Sequence, residues 1–439
     1  MEEMEKNRKE FLKAAGAVSL GGLFLAACGG SSSGGSSSAE GGGGETAAAA
    51  STSGGGGSTD TIKVGLLNAL SGVLSITEKS IHDGALLAVE EVNKAGGING
   101  RMIEAISEDY ASDFTIAVEK ANKLLTEDKC VICIGGYTSA SRVAMIPTFQ
   151  KANGIFFYGT YYEGLECDPN VFYAGATPNQ FLVDYVPWIL ENLGKSMYIV
   201  GSDYLYPRTV SAIVQKLAKD GGGTIAGDKY FPLGTTEFGP VIADIKSKNP
   251  DVVFSNLVGD STPAFYKQFR SAGITPDQMP IAATVTTEVE VQAMGADVAE
   301  GNYMTSTYFE SLDNPANKAY VAAMKAAYGE DTVTHMPQVG TYDAVWLFAE
   351  AAKKIDGDIT VDALQKALVG TTFDGNPEGQ PMTILDNHHC NHPSYVGKSN
   401  AEGQYDVVAT FAPREADPFP VEVVPENKRP TCPIPFKPQ

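Results

Sequence analysis

The chain has 439 residues, and its 53 Asp and Glu residues outnumber its 32 Lys and Arg residues, giving a formal net charge of −21. This acidic balance argues against nucleic acid as a partner, because phosphate backbones are bound by basic surfaces. Hydrophobic residues make up 43% of the chain and charged residues 19%, which is typical of globular proteins with room for two or three domains. No run of about 18 uncharged apolar residues occurs, so the sequence predicts no membrane-spanning helix.

Residues 1–27 have the pattern of a bacterial lipoprotein signal peptide. Basic side chains at positions 6, 8, 9 and 13 precede an apolar run from residue 14 to residue 27, which is too short to span a membrane but suits a signal peptide. The run ends in Leu25-Ala-Ala-Cys28, which resembles a lipobox, where the cysteine thiol carries diacylglycerol. We therefore expect an exported, extracytoplasmic protein that is attached to the cell membrane only through a lipid on Cys28.

Residues 28–60 form the expected tether between this lipid and the folded body. Of the 32 residues from 29 to 60, 21 are Gly or Ser. Such a composition cannot bury enough apolar surface to offset the loss of chain entropy. The sequence therefore predicts a flexible leash with a mean reach of roughly 30 Å.

From Thr61 onward, short apolar strands alternate with amphipathic helices. Strands are predicted over 62–67, 102–107, 131–134, 155–157, 197–200 and 252–254, and helices over 81–92, 114–125, 210–217 and 264–269. A helical stretch from 315 to 368 and a segment with hairpin-type turns from 372 to 411 follow. Buried strands that alternate with helices favour parallel sheets covered on both faces.

These elements predict an α/β protein with two Rossmann-like lobes and a ligand cleft between them, since ligands of such sheets bind at the carboxyl ends of the strands. Residues 61–180 are assigned to the first lobe, with about 309–365 returning to it. Residues 181–308 are assigned to the second lobe, with about 370–420 returning to it. Residues 421–439 are expected to be a C-terminal tail.

The loop after the third predicted strand is the first candidate for ligand binding. Gly135-Gly-Tyr-Thr-Ser-Ala-Ser141 lies between this strand and a helix predicted to begin near Arg142. Free N–H groups and hydroxyls at a helix start can form a donor nest for a carbonyl or an anion. The alternative interpretation is that Ser139 or Ser141 is only an N-cap of that helix.

Two tyrosine-containing loops are the second candidate. Phe157-Tyr-Gly-Thr-Tyr-Tyr-Glu163 and Gly201-Ser-Asp-Tyr-Leu-Tyr206 each follow a predicted strand, one in each lobe. Aromatic rings there can wall off a small ligand while their hydroxyls fix its orientation. The alternative is that these are ordinary core tyrosines, and their clustering in two opposed loops favours the binding interpretation.

Five cysteines remain if Cys28 is acylated, so at least one thiol is unpaired within the chain. Cys130 and Cys133 lie at the start of an apolar strand, which favours packing over metal or redox chemistry because no second cysteine pair completes a metal site. A bridge between Cys390 and Cys432 is possible, but the connectivity cannot be read from the sequence.

Catalytic and metal-binding signals are weak. His388-His-Cys-Asn-His392 could supply metal ligands, but it lies in a connection containing Gly, Asn and Pro, which favours a polar loop. The G-x-S-x-G string at Gly30–Gly34 falls in the tether, and neither a phosphate loop nor an H-E-x-x-H motif occurs. We therefore expect no metal, no cofactor and no enzymatic activity, and an exported amidase is the disfavoured rival.

Taken together, these motifs resemble the urea and short-chain amide binding proteins of ABC importers. The resemblance runs from about residue 62 to residue 418 and is carried by the segments 84–91, 138–142, 162–167, 201–208 and 258–261. It implies a type I periplasmic-binding-protein fold, related to the branched-chain amino acid receptors, and permease subunits of an ABC transporter as partners.

The resemblance also implies ligand contacts in both lobes, at Tyr137, Ser139, Tyr158, Thr160, Tyr204, Tyr206 and Thr286. The urea-binding pattern has Trp at position 137, Pro at 159 and Gln at 161, whereas Tyr137 and Thr160 match the amide-sensing relatives. The resemblance therefore implies a hybrid pocket wall.

The expected ligand is urea or a short-chain amide. Urea presents N–H donors and one carbonyl acceptor, so its pocket needs several acceptors, for which Glu163, Asp203, Asp260 and Glu288 are candidates, and a donor near Ser139. A branched-chain or other amino acid is the alternative, since the donor nest could hold its carboxylate. An amide sensor without a transporter is the other alternative.

Overall fold

The computed structural model describes residues 61–433, which form two α/β lobes, each built on its own sheet. The expected signal peptide, Cys28 and the tether lie outside the described residues. In residues 61–433 no helix is both long enough and apolar enough to cross a membrane.

The first lobe contains a parallel sheet of five strands in the order β2-β1-β3-β4-β5. Its inner strand β1 is a run of mostly apolar residues that is buried along nearly its whole length, because helices cover both faces of the sheet. The strands are β1 Ile62–Asn68, β2 Ile103–Asp109, β3 Ile132–Gly135, β4 Phe156–Tyr158 and β5 Val171–Tyr173, and the helices are α1 Ser75–Lys94, α2 Phe114–Thr126 and α3 Ser139–Ala152.

The second lobe contains a sheet of seven strands in the order β14-β13-β10-β9-β8-β6-β7. Strands β6 to β10 pair in parallel, and β13 and β14 add to the edge in antiparallel orientation. The strands are β6 Ser196–Ser202, β7 Thr224–Phe231, β8 Val252–Asn256, β9 Ile281–Ala283, β10 Tyr303–Ser306, β13 His392–Ser399 and β14 Tyr405–Arg414, and the helices are α4 Pro178–Phe181, α5 Tyr185–Asn192, α6 Leu205–Asp220, α7 Gly239–Lys248, α8 Ser261–Ser271, α9 Glu288–Met294 and α10 Ala296–Ala299.

The chain passes between the lobes more than once. After β10 it returns to the first lobe as α11 Pro315–Tyr328, α12 Met336–Ala352 and α13 Val361–Leu368, and α12 packs along α1. Gly84 allows this close packing, since a Cβ there would lie 2.7 Å from Cγ of Gln338. A short hairpin, β11 Thr372–Phe373 and β12 Met382–Thr383, precedes the return to β13 in the second lobe.

The mixed α/β fold with parallel sheets confirms the fold class predicted from the alternation of strands and helices. One local prediction is wrong: α3 begins at Ser139 rather than near Arg142, and its N-cap is neither Ser139 nor Ser141. The side chain of Thr138 accepts a hydrogen bond from Ser141 N at 3.1 Å and therefore serves as the cap. The hydroxyl of Ser139 is therefore not the cap and bonds instead to Arg142 and Glu163.

The disulfide bond joins Cys167 to Cys432, so the bridge considered between Cys390 and Cys432 is wrong. The C-terminal segment runs beside the loop that follows β4, where Leu165 N donates a 2.7 Å hydrogen bond to the carbonyl of Pro418. This brings Cys432 to Cys167, whereas Cys390 is a buried free thiol. Cys130 and Cys133 are also buried free thiols, in agreement with the packing interpretation.

The segment His388–His392 was expected to be a polar loop, but its three histidines are buried. His388 stacks on Phe172 with ring centroids 4.1 Å apart, and His389 stacks on Tyr173 at 4.3 Å. Burial lowers the pKa of both imidazoles, to about 3 for His389. The three histidines face separate partners, because His392 instead pairs with Glu378 at 2.9 Å.

Candidate functional site

A small cavity lies between the lobes, where the carboxyl ends of parallel strands from both sheets face each other. Its wall consists of loops that follow β3 and β4 in the first lobe and β6, β8 and β9 in the second. The lining residues are Tyr137, Ser139, Thr160, Tyr161, Tyr204, Tyr206, Val258 and Val285. The cavity has a volume of only about 10 Å³, which is close to what one water needs. The lobes are therefore closed around a small, uncharged and largely aromatic space.

Five of the eight ligand contacts expected from the sequence lie on the cavity wall: Tyr137, Ser139, Thr160, Tyr204 and Tyr206. The other three, Tyr158, Asp260 and Thr286, do not line the cavity. The five share a physical origin, since each follows a parallel strand of its own lobe, and the closed lobes bring those strand ends together.

Tyr158 lies beneath the cavity wall. Its side chain is fully buried, and its hydroxyl donates a hydrogen bond to the carbonyl of Tyr137. Its ring faces the guanidinium of Arg142 at 5.0 Å. Burial raises the pKa of Tyr158, so the phenol stays protonated and keeps donating. Tyr158 therefore supports the backbone of the ligand loop.

Asp260 and Thr286 have other partners. Asp260 is exposed, and its backbone N–H lies 3.4 Å from the carbonyl of Val73 in the first lobe. Thr286 is buried, with its hydroxyl 3.0 Å from the hydroxyl of Tyr266 and its carbonyl accepting from Tyr405 at 2.5 Å. Asp260 therefore marks a contact between the lobes at the surface, and Thr286 belongs to the packing of the second lobe.

The acidic side chains expected to accept from the ligand do not line the cavity. Asp203 pairs with Arg208 at 2.8 Å near the surface. Glu288 is fully buried and accepts from the backbone N–H of Glu310 at 3.0 Å, and burial raises its pKa to about 8. Together with Glu163 and Asp260, they are absent from the cavity wall.

Two tyrosines of the cavity wall, Tyr137 and Tyr161, have buried hydroxyls that could bind a ligand. Within residues 61–433, neither buried hydroxyl has a partner at hydrogen-bond distance, and Tyr137 lies near Tyr161 and Thr77. Burial raises the pKa of both phenols, so each remains protonated and can both donate and accept. Because buried polar groups are normally paired, these two hydroxyls are suited to a polar ligand between the lobes.

The second-lobe wall is held by a hydrogen-bond chain. The hydroxyl of Tyr206 lies 3.0 Å from that of Thr284, which donates to Asn256 Oδ1 at 2.8 Å. The ring of Tyr206 is also 5.7 Å from the ring of Tyr161 in the first lobe. The aromatic wall therefore joins both lobes and has a fixed orientation.

Under the first-lobe wall lies a buried ionic network. The guanidinium of Arg142 donates to Glu163 Oε1 and to Glu166 Oε1, both at 2.9 Å, and to Ser139 Oγ at 2.9 Å. Ser139 in turn donates to Glu163 Oε2. All four side chains are buried. The sequence pointed to Ser139, but nothing local in it indicated the role of Arg142.

Sequence reasoning missed Tyr161, Val258 and Val285 as cavity residues. Tyr161 directly follows the expected contact Thr160 in the same loop, so its position in that loop could have identified it as a cavity residue. Val258 and Val285 follow β8 and β9, and an apolar residue after a strand has no pattern that separates it from the core.

Comparisons with known proteins identify the fold and its family. A family model described as the periplasmic binding protein domain matches residues 62–424. The Leu/Ile/Val-binding protein homolog 7 of Brucella melitensis is 24% identical over 368 residues, covering 78% of this chain and 90% of that protein. The leucine-, isoleucine-, valine-, threonine-, and alanine-binding protein of Pseudomonas aeruginosa is 23% identical over 332 residues, covering 72% and 84%.

Solved structures share the same architecture. A solute-binding protein of an ABC transporter from R. palustris, in complex with benzoate, superimposes with a TM-score of 0.74 at 24% identity, covering 82% of this chain and 98% of that one. The branched-chain amino acid transporter substrate-binding protein from Streptococcus pneumoniae, in complex with isoleucine, gives a TM-score of 0.69 at 24% identity, covering 80% and 99%.

One relative bears an enzyme name. Limonene hydroxylase from Geobacillus stearothermophilus is 36% identical over 115 residues, but this stretch is 26% of this chain and only 21% of that protein. So short a match assigns no activity to the whole chain.

Proposed function

This chain belongs to the periplasmic binding protein family, and we propose that it is a solute-binding protein of an ABC transporter. We propose further that it captures urea or a short-chain amide outside the cytoplasm and delivers it to the permease subunits. The ligand would be held between the lobes, in the cavity walled by Tyr137, Ser139, Thr160, Tyr204 and Tyr206. Closure of the lobes around it would present the loaded form to the transporter.

The observation that carries this proposal is the character of the cavity wall. None of the eight lining residues is Lys, Arg, Asp, Glu or His, and two of them, Tyr137 and Tyr161, supply buried hydroxyls without partners. A neutral molecule with several N–H groups and one carbonyl can satisfy such hydroxyls without leaving a charge unpaired. The small size of the closed cavity favours ligands with few non-hydrogen atoms.

A branched-chain amino acid is the second candidate, and the names of the relatives favour it. The relatives from Brucella melitensis and Pseudomonas aeruginosa are named for branched-chain amino acids. A zwitterion, however, needs partners for both an ammonium and a carboxylate, and burying an unpaired charge is costly. The uncharged wall supplies neither charge, so we place this candidate second.

Calorimetric titration of the purified full chain tests the proposal. We expect heat of binding with urea, formamide or acetamide, and markedly weaker binding of leucine and benzoate. Tight binding of leucine together with no binding of any amide would contradict the proposed ligand class and support the second candidate.

Attachment through Cys28 is a separate part of the proposal and rests on the lipobox resemblance. We expect Cys28→Ser to prevent lipidation while leaving the folded body unchanged, because the substitution lies in the predicted tether. Mass spectrometry of the N-terminal peptide from membrane fractions checks this. A lipid still present on the N-terminal peptide of the variant would refute the assignment.

A further inference from the structure

Ser139 is held by two charged neighbours under the cavity wall. Arg142 Nη1 donates to Ser139 Oγ at 2.9 Å, and Ser139 donates its own hydrogen to Glu163 Oε2. A hydroxyl has one hydrogen and two lone pairs. The hydrogen and one lone pair are therefore used, and one lone pair remains on a residue that lines the cavity.

The hydroxyl hydrogen of Ser139 can point in only one direction. A guanidinium can only donate and a carboxylate can only accept, so the hydrogen of Ser139 cannot turn toward Arg142. Arg142 is itself fixed by Glu163 and Glu166 at 2.9 Å each, and its side chain has no exposed surface. Turning the hydrogen toward the cavity would leave a buried carboxylate oxygen of Glu163 without its partner, which is costly.

We propose that Arg142 and Glu163 are positioning residues that hold Ser139 as a hydrogen-bond acceptor, so that the site selects ligands presenting an N–H and rejects carboxylates. This inference rests on the proposed function and deepens it. A carboxylate has no hydrogen to offer Ser139, and it would bring a second negative charge toward Glu163. The donor for a ligand carbonyl would then come from the free hydroxyls of Tyr137 or Tyr161, rather than from Ser139 as the sequence suggested.

Pairs of ligands with the same shape but opposite hydrogen-bonding character test this directly. We would titrate the full chain with acetamide and acetate, benzamide and benzoate, and leucinamide and leucine. In the wild type we expect the amide of any pair that binds to be preferred over its carboxylate by at least about tenfold, which corresponds to one hydrogen bond and its desolvation.

Glu163→Gln is the decisive variant. The Gln amide can donate to Ser139, which frees the serine hydrogen to point into the cavity and donate to a ligand. We expect the ratio of amide to carboxylate affinity to fall by about tenfold or more. Ser139→Ala is the second variant, because it removes the acceptor with little change in volume and is expected to lower the same ratio. A residue that only stabilised the fold would lower both affinities together and leave this ratio unchanged.

Glu378→Gln is the matched control. Glu378 is also a buried carboxylate paired with a basic side chain, His392, but it is absent from the cavity wall and from the Ser139 network. For the Glu378→Gln variant we expect the same ratio of amide to carboxylate affinity as for the wild type.

The outcomes separate this inference from the proposed function. If the protein binds benzamide or leucinamide better than the matching carboxylate but does not bind urea or acetamide, the proposed ligand is overturned. The same result would support the role of Ser139 as a hydrogen-bond acceptor. A wild type that prefers a carboxylate, or a Glu163→Gln variant with an unchanged ratio, would overturn the inference even if urea binds. Failure of every amide to bind would overturn both.

Discussion

Thr77 Oγ1 donates a 2.6 Å hydrogen bond to Glu290 Oε1, and these two buried residues belong to different lobes. Thr77 lies on α1 of the first lobe and Glu290 on α9 of the second. The other carboxylate oxygen of Glu290 accepts from the backbone N–H of Thr287 at 2.8 Å and from its hydroxyl at 2.6 Å. Since this capping box fixes Glu290 at the start of α9, the bond to Thr77 ties the lobes together in the closed form.

Thr77→Val is expected to favour opening of the lobes. The substitution keeps the shape of the side chain but leaves Glu290 Oε1 without a partner in the closed form, which disfavours closure by about 1–3 kcal/mol. Ligand affinity should fall by about tenfold or more, and small-angle scattering should show a more open average shape. Thr115→Val, at an exposed position on α2, is the matched control and should leave both unchanged. Identical scattering and affinity for Thr77→Val would argue against a tie between the lobes.

Tyr137→Phe and Tyr161→Phe are expected to weaken ligand binding by about tenfold each without lowering the melting temperature. Their hydroxyls have no partner among residues 61–433, so removing them breaks no bond in the free protein. Tyr198→Phe should show the opposite pattern. Its hydroxyl donates to Asp244 at 2.6 Å and lies outside the cavity, so stability falls by about 1 kcal/mol while binding is retained. Calorimetry and thermal unfolding of the three variants check both patterns, and early unfolding of the first two would mark their hydroxyls as structural.

Glu288→Gln is expected to flatten the pH dependence of stability. Burial raises the pKa of Glu288 from 4.5 to about 8 in the folded protein. As pH rises from about 4.5, the unfolded chain loses this proton first, so the free energy of unfolding falls until about pH 8 and then levels off. The Gln variant lacks this contribution, which is on the order of a few kcal/mol for a fully buried carboxyl.

Guanidinium chloride denaturation of wild type and Glu288→Gln at several pH values between 4.5 and 9 measures this difference. Some slope should persist in the variant, since burial also raises the pKa of Glu78 to about 7. Equal slopes for the two proteins would show that Glu288 does not ionise with a raised pKa.

Cys432→Ser is expected to lower the free energy of unfolding by about 2–5 kcal/mol, because it removes the crosslink to Cys167 that closes a long loop. It should also expose one additional thiol to alkylation in the denatured protein. Cys130→Ala is a suitable control, since this free thiol is not crosslinked and its loss should change stability far less. Denaturant curves without reductant distinguish the two variants, and equal stability of Cys432→Ser and wild type would contradict the expectation.

The sequence by itself predicted strands whose ends lie within two residues of those of β1, β2, β3, β4, β6 and β8, but it did not predict β5, β7, β9 or β10. Apolar runs such as Ile62–Asn68 and the helical spacing after them are local patterns, and they specified parallel sheets covered by helices. The rule that ligands bind at the carboxyl ends of parallel strands then pointed to the loops that hold Tyr137, Tyr204 and Tyr206, which line the cavity.

Only the tertiary structure decided which partners these loops meet. The bond between Thr77 and Glu290, the disulfide between Cys167 and Cys432 and the network of Ser139, Arg142 and Glu163 join segments separated along the chain. Their distances follow from how the helices pack on the sheets and how the lobes close, and hydrophobic periodicity carries no information about those distances. For the same reason Tyr158, placed by sequence among the ligand contacts, lies beneath the wall, because its orientation is set by Arg142 and the carbonyl of Tyr137.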